Sequence, residues 1–167
     1  MRVGELAGLK WEDIDFERNL ITICRSEKYN RVKKEYCIST TKNDKVRAFP
    51  LTDEIKDVLC RLKKVEIKNG FLSEYVFSDK NGRVHVGRIS DCVRNLTMTK
   101  EFSHTKSIHA LRRTLNSNLR CSGMSATVAA SLLGHTEKVN EQNYTYDVTS
   151  MNYKTAIISE INKKTAG

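Results

Sequence analysis

Six residues able to act on a phosphodiester stand at wide spacing along the chain. They are Arg2 in Met-Arg-Val-Gly-Glu, Lys42 in Thr-Thr-Lys-Asn, His109 and Arg112 in His-Ala-Leu-Arg, His135 closing Leu-Leu-Gly-His, and Tyr144 nine residues later. Two arginines, a lysine, two histidines and a tyrosine suffice in type to attack a phosphodiester without a metal. Phosphoryl transfer spreads negative charge over the non-bridging oxygens, and the planar fork of arginine meets two of them at once. Arg2 and Arg112 are therefore candidates for a phosphate clamp. A tyrosine hydroxyl titrates at ~10, so a nucleophilic tyrosine needs positive charge and a proton acceptor close by. The other residues of the set can supply both, since imidazole titrates at ~6.5 and either donates or accepts. His109 and Arg112, three positions apart, share a face if the segment is helical.

Composition agrees with a polyanionic partner. The 167 residues carry 29 Lys and Arg against 20 Asp and Glu, a net charge of +9, and are 39% hydrophobic, enough for one domain with a substantial core. An acidic membrane surface would suit the charge equally, but there is no apolar run of about eighteen residues and no signal-peptide layout. A soluble, intracellular protein is expected. The five cysteines, Cys24, Cys37, Cys60, Cys92 and Cys121, are scattered without a Cys-x-x-Cys pair. They read as buried small hydrophobes in a reducing compartment, not as disulfides or zinc ligands. The spacing of the four histidines does not suit zinc, and no carboxylate cluster suggests magnesium. His85 and His104 read as surface or loop residues.

The elements that must position these residues are legible in outline. Val3, Leu6 and Leu9 have helical spacing, and a short helix carrying Arg2 and Glu5 is expected to end near Trp11. Residues 20–24, 35–39 and 46–51 are β-prone and read as a three-stranded antiparallel meander, with Pro50 at the end of the third strand. Lys42 falls in the turn between the second and third of these strands. Thr52 caps a helix with Ile55, Val58, Leu59, Leu62 and Val65 on its apolar face, stopped by Asn69-Gly70. A turn is expected over residues 79–82, and a helix from Arg88 to about Leu96. From Ser107 the chain reads as helical, with breaks at Ser122-Gly123 and Gly134, so that His135 lies at a helix C-terminal boundary. A last helix, over about residues 150–163, carries Met151, Ala156, Ile157, Ile158 and Ile161.

The order and spacing of these motifs resemble the tyrosine recombinases, the phage-integrase family, over nearly the whole chain. The resemblance implies an α+β, mostly helical catalytic domain with a small three-stranded antiparallel sheet, the DNA breaking-rejoining fold. It implies no cofactor and no metal. It assigns Tyr144 as the nucleophile, leaving a 3′-phosphotyrosyl link and a free 5′-hydroxyl, with Lys42 as the mobile acid that protonates the leaving oxygen. Lys45 is the alternative to Lys42. Glu5 matches the family's acidic position and would buttress the site, its plainer reading being a helix ion pair. His109 would assist proton movement at the tyrosine, and His135 would hydrogen-bond the phosphate. In the family signature His-x-Leu-Arg, Leu111 supplies the apolar residue expected to face the core. Tyr146 is the rival nucleophile and Tyr153 a distant third; the step from His135 favours Tyr144.

The partner implied is double-stranded DNA carrying attachment sites, acted on in the cytoplasm at the nucleoid by a homotetramer. The C-terminal helix would dock on a neighbouring protomer or on its own core. Lys28, Arg31, Lys33 and Lys34, together with Lys45 and Arg47, are candidate contacts to the DNA backbone, or else a solvated basic loop. Residues 1–167 are expected to be a catalytic domain lacking an N-terminal DNA-binding domain and the first catalytic helices. A type IB topoisomerase and a DNA-binding fragment without catalysis are the alternative readings.

Overall fold

The computed structural model describes residues 1–41, 44–71, 73–98, 104–138, 151, 152, 155 and 158. The chain order is α1 (Val3–Ala7), a 3₁₀ turn (Trp11–Asp13), β1 (Ile14–Asp15), β2 (Leu20–Ile23), β3 (Arg25–Asn30), β4 (Glu35–Thr40) and β5 (Arg47–Pro50). Then follow α2 (Asp53–Lys68), β6 (Ser78–Asp79), β7 (Gly82–Arg83), α3 (Val86–Thr97), α4 (Ile108–Cys121) and α5 (Ala126–Leu133). The class is α+β with small antiparallel sheets, as expected.

The sheet is not the expected meander. β2 lies between β1 and β5, while the run over residues 35–39 pairs instead with β3 in a separate hairpin. Register follows the apolar face. Ile21 and Ile23 of β2 point inward opposite Phe49 and Arg47 of β5, and they meet Leu9, Ile14, Leu51, Leu59 and Val76 in one buried cluster. Each such aliphatic side chain contributes about 1.5–3 kcal/mol on burial. β3 and β4 have no comparable apolar face; the one buried residue of the pair is Glu27. Its carboxylate accepts from Arg83 Nη2 and the Val86 backbone N–H and meets His85 Nδ1, each at 2.8 Å. His85 is a half-exposed loop residue as expected, and it also stacks on Tyr36 with centroids 4.2 Å apart and precedes α3 as its cap. A buried carboxylate therefore fixes the hairpin to α3.

The first helix stops earlier than its spacing suggests. Gly8 ends α1, and the next residues pair with another segment, Trp11 N–H donating to Glu74 O and Val76 N–H to Leu9 O, both at 2.9 Å. α1 packs on β3 and α3. Its closest approach is at Gly4, where an added Cβ would lie 2.5 Å from Ser26 Oγ and 2.6 Å from the Glu27 carbonyl oxygen. Since backbone cannot move aside cheaply, Gly4→Ala is predicted to cost about 1–3 kcal/mol. Urea unfolding measures it, and an unchanged midpoint would show that α1 does not dock as described.

α2 runs between its expected limits, from Thr52 to Asn69 with Gly70 at φ 72°. Its apolar stripe is only half used: Leu59 is buried and Ile55 and Leu62 pack on the core, but Val58 and Val65 are exposed. α4 and α5 start where serines accept backbone N–H groups, Ser107 from Ala110 at 3.1 Å and Ser125 from Val128 at 3.3 Å. Gly123 (φ 90°) separates the two helices. Gly134, at φ 67° and ψ 45°, ends α5, and His135 N–H closes back on Ala130 O at 2.9 Å. Leu111 does not face the core but is 44% exposed, because the inward face of α4 is given to Arg112, Asn116 and Ser117. The cysteines also differ from expectation. Cys60 and Cys92 are exposed and the other three partly so, because they sit at outward or boundary positions of their elements. Of the expected last helix, Met151, Asn152, Thr155 and Ile158 are helical, and the remainder lies outside the described residues.

Candidate functional site

α1, α4 and the end of α5 bring four of the six residues together. Arg2 caps α1, and its backbone N–H donates to Glu5 Oε2 at 2.6 Å while its Nη1 donates to Glu5 Oε1 at 2.9 Å. The side chain continues to the other end of the chain, with Nη2 donating to the Gly134 carbonyl at 2.8 Å. Arg112, only 4% exposed on α4, donates from Nη2 to the Leu133 carbonyl and to His135 Nε2, the latter at 2.8 Å. Arginine has no acceptor, so Nε2 is the accepting nitrogen and the His135 ring carries its proton on Nδ1. His109 is exposed one turn before Arg112 on α4.

The electrostatics follow from this crowding. Burial, then the charges of Arg112, Arg2, Arg47 and His109, pushes the His135 imidazole down to about 4, so it is neutral at pH 7. His109, although exposed, is lowered too, by the partial desolvation its neighbours impose and by the charges of Arg113, Arg112 and Arg2. Glu5 is 1% exposed, and burial alone would raise its pKa. Hydrogen bonds from Arg47 and the Arg2 backbone, with the charges around them, outweigh burial and hold the carboxyl at about 2. Glu5 is therefore more than a helix ion pair; it is a buried negative group shared by Arg2 and Arg47.

Arg47, expected among the contacts to the DNA backbone, has a side chain that is 9% exposed and turned inward. Nη1 and Nη2 donate to the two Glu5 oxygens at 3.0 and 2.6 Å, and Nε donates to Leu132 O at 3.1 Å. The signal was available in the alternation of β5, which puts Arg47 on the side of Phe49 and Leu51. Lys45 is exposed and lines, with Arg47, Thr127, Ser131, Gly134 and His135, a cleft of about 370 Å³ beside the cluster. Lys28, Arg31, Lys33 and Lys34 are all exposed on the β3–β4 hairpin, Lys28 on β3 and the others in its turn. Lys42, Tyr144, Tyr146 and Tyr153 lie outside the described residues. Among the described residues no group of three or more His, Cys, Asp or Glu is placed to hold a metal, and no helix is long and apolar enough to cross a membrane.

Comparison with known proteins gives concordant results. The model of the phage integrase family matches residues 1–150. A tyrosine recombinase XerC-like protein of Caldanaerobacter subterraneus subsp. tengcongensis is 27% identical over 97% of this chain, which spans 46% of that relative. Among solved structures, the Tn1549 transposon integrase in complex with transposon right end DNA superposes with a TM-score of 0.74 at 21% identity. That match covers 97% of this chain and 55% of the integrase chain in that structure, which is itself a part of the integrase. XerA recombinase gives 0.71 at 21% identity, over 95% of this chain and 52% of XerA. At these identities the structural matches speak for the fold alone.

Proposed function

The chain belongs to the phage integrase family, and on that premise we propose that it is the catalytic domain of a site-specific tyrosine recombinase, the integrase of a phage or conjugative transposon. The observation that carries this reading is the convergence of Arg2 and Arg112 on one turn. From elements far apart in sequence they donate to the successive carbonyls of Gly134 and Leu133, beside His135. Two guanidinium groups held on one turn, next to a neutral imidazole, suit a phosphate diester with negative charge growing on its non-bridging oxygens.

In the proposed step the Tyr144 hydroxyl oxygen attacks phosphorus and its proton passes to a nearby base, with His109 the candidate. The bond to the 5′-oxygen breaks, and Lys42, or Lys45, gives that oxygen a proton. The 3′-phosphotyrosyl link keeps the energy of the broken bond, so a 5′-hydroxyl can reverse the step without a nucleotide cofactor. Lys28, Arg31, Lys33, Lys34 and Lys45 would neutralise backbone phosphates. The DNA partner is supported by the DNA complex of the similar transposon integrase. Four copies on two duplexes in the cytoplasm, with the C-terminal helix docking between protomers, complete the reading.

Covalent trapping tests it. The chain and its Tyr144→Phe and Tyr146→Phe variants are mixed with a pool of nicked duplexes randomised around the nick, which lets the cleaved fragment diffuse away. A denaturing gel is expected to show adducts for wild type and Tyr146→Phe and none for Tyr144→Phe. An adduct that survives Tyr144→Phe and vanishes with Tyr146→Phe contradicts the assignment. No adduct with salt-sensitive binding retained would make the chain a DNA-binding fragment, and relaxation of supercoiled DNA without a partner site would make it a topoisomerase.

A further inference from the structure

The last three carbonyls around the end of α5 each accept from a different arginine. Leu132 O takes Arg47 Nε at 3.1 Å, Leu133 O takes Arg112 Nη2, and Gly134 O takes Arg2 Nη2 at 2.8 Å. Helix C-terminal carbonyls lack intrahelical donors and carry partial negative charge, so they attract cations. Here they also space them: successive residues of one turn set three guanidinium groups in order.

Arg47 differs from the other two in what the rest of its fork does. Each Glu5 oxygen accepts one bond from Arg47 and one from Arg2: Oε1 from the two Nη1 atoms at 3.0 and 2.9 Å, Oε2 from Arg47 Nη2 and the Arg2 backbone, both at 2.6 Å. All three guanidinium nitrogens of Arg47 thus donate to the protein, from a side chain 9% exposed. A side chain at position 134 would collide with it, since a Cβ there would stand 2.9 Å from Arg47 Nη1 and 3.0 Å from Cζ. Gly134 therefore serves two needs at once, the left-handed turn and room for Arg47.

We propose that Arg47 is a positioning residue: by holding Glu5 and the end of α5 together, it fixes the Arg2 guanidinium and the His135 imidazole relative to each other before DNA arrives. This rests on the recombinase reading for its consequence in catalysis but not for the placement itself. It also removes Arg47 from the set of DNA-backbone contacts. Lysine cannot replace it fully, because a single ammonium cannot reach both Glu5 oxygens and Leu132 O.

Arg47→Gln and Arg47→Lys are compared with wild type in three measurements. Binding of a random duplex against salt is expected to keep its slope, whereas loss of a phosphate contact would reduce the slope by about one. The single-turnover adduct rate at saturating nicked duplex is expected to fall roughly 10²-fold in Arg47→Gln, as for a misplacement of about an ångström, and to recover partly in Arg47→Lys. The third readout needs no cleavage. His135 faces Arg112, Arg2, Arg47 and His109, and its imidazole titration, followed by NMR in the free protein, should move up from about 4 in Arg47→Gln and less in Arg47→Lys. An unmoved titration, a slope lower by about one, or a wild-type adduct rate in a folded Arg47→Gln each overturns the proposal. If Arg47→Gln does not fold, a fully active Arg47→Lys overturns it instead. Should wild type give no adduct while titration and slope behave as expected, the recombinase reading fails and the positioning role stands.

Discussion

Arg112→Gln will lose strand cleavage by roughly 10³–10⁵-fold, the range for removing an arginine that neutralises a phosphoryl transition state. Arg112 is held at Nη2 by two acceptors, the Leu133 carbonyl and His135 Nε2 at 2.8 Å, so its guanidinium is placed before substrate binds. Preorganisation of this kind lets a donor act where charge develops without reorganising at that moment. Glutamine removes the charge and shortens the reach, so it cannot meet two phosphate oxygens and the Leu133 carbonyl together. The stability cost should be smaller, about 1–3 kcal/mol for a buried carbonyl left without its donor. Arg112→Lys keeps a charge but not the fork, and is expected to restore little. The adduct rate at saturating duplex, read beside thermal unfolding, checks both parts. Cleavage within tenfold of wild type in Arg112→Gln would remove Arg112 from the clamp.

Glu5→Gln will cost the fold about 3–5 kcal/mol at pH 7, because two inward guanidinium groups lose their common counter-charge. The carboxylate is 1% exposed and accepts four hydrogen bonds from Arg2 and Arg47, and an amide would turn donors toward one of those arginines. The pH dependence identifies the cause. The folded-state pKa of Glu5 is depressed, from 4.5 to about 2. Its contribution, about 3 kcal/mol from that difference, is therefore present above the ordinary carboxylate value and lost as pH falls through the folded one. Glutamine does not titrate, so the gap between wild type and Glu5→Gln in urea unfolding should be full at pH 7 and about half as large near pH 3. A gap that stays constant over that range would mean that packing, not the charge of Glu5, sets the cost. Cleavage should fall as well, since Arg2 loses its anchor.

How much of this was legible depended on whether the cause was local. The starts of α4 and α5 follow from Ser107 and Ser125, and the ends of α2, α4 and α5 from Asn69-Gly70, Gly123 and Gly134, each of which acts within one turn of its own position, whereas Thr52 stands at the start of α2 without a side-chain cap bond. Strand partners are chosen across the chain, and there the sequence misled. Residues 25–30, Arg-Ser-Glu-Lys-Tyr-Asn, have no apolar alternation, yet they form β3, because the hairpin is held by a buried carboxylate and by the packing of α1 at Gly4. α1 is shorter than its apolar spacing predicts, since nothing near Gly8 announces that Leu9 and Trp11 pair with residues 74–76.

The candidate site divides in the same way. Arg2 with Glu5 and His109 with Arg112 are short-range pairs and could be read directly. The second arginine on Glu5 comes from β5, and its inward direction was visible only by counting alternate residues back from Leu51 and Phe49. The family signature His-x-Leu-Arg puts Leu111 toward the core, but the inward face of α4 belongs to Arg112 and the polar pair Asn116 and Ser117. Where a helix must present an arginine to a site, its buried face is not its most apolar one.

The central claim is that this chain moves a DNA strand onto Tyr144. Its most direct test is to digest the covalent complex formed with an end-labelled nicked duplex and to sequence the labelled peptide by mass spectrometry. The account predicts a single peptide bearing the 3′-phosphoryl end of the cut strand on Tyr144, with a free 5′-hydroxyl on the released fragment. A label on Tyr146 or any other residue, or a phosphate left on the 5′ side, would contradict it.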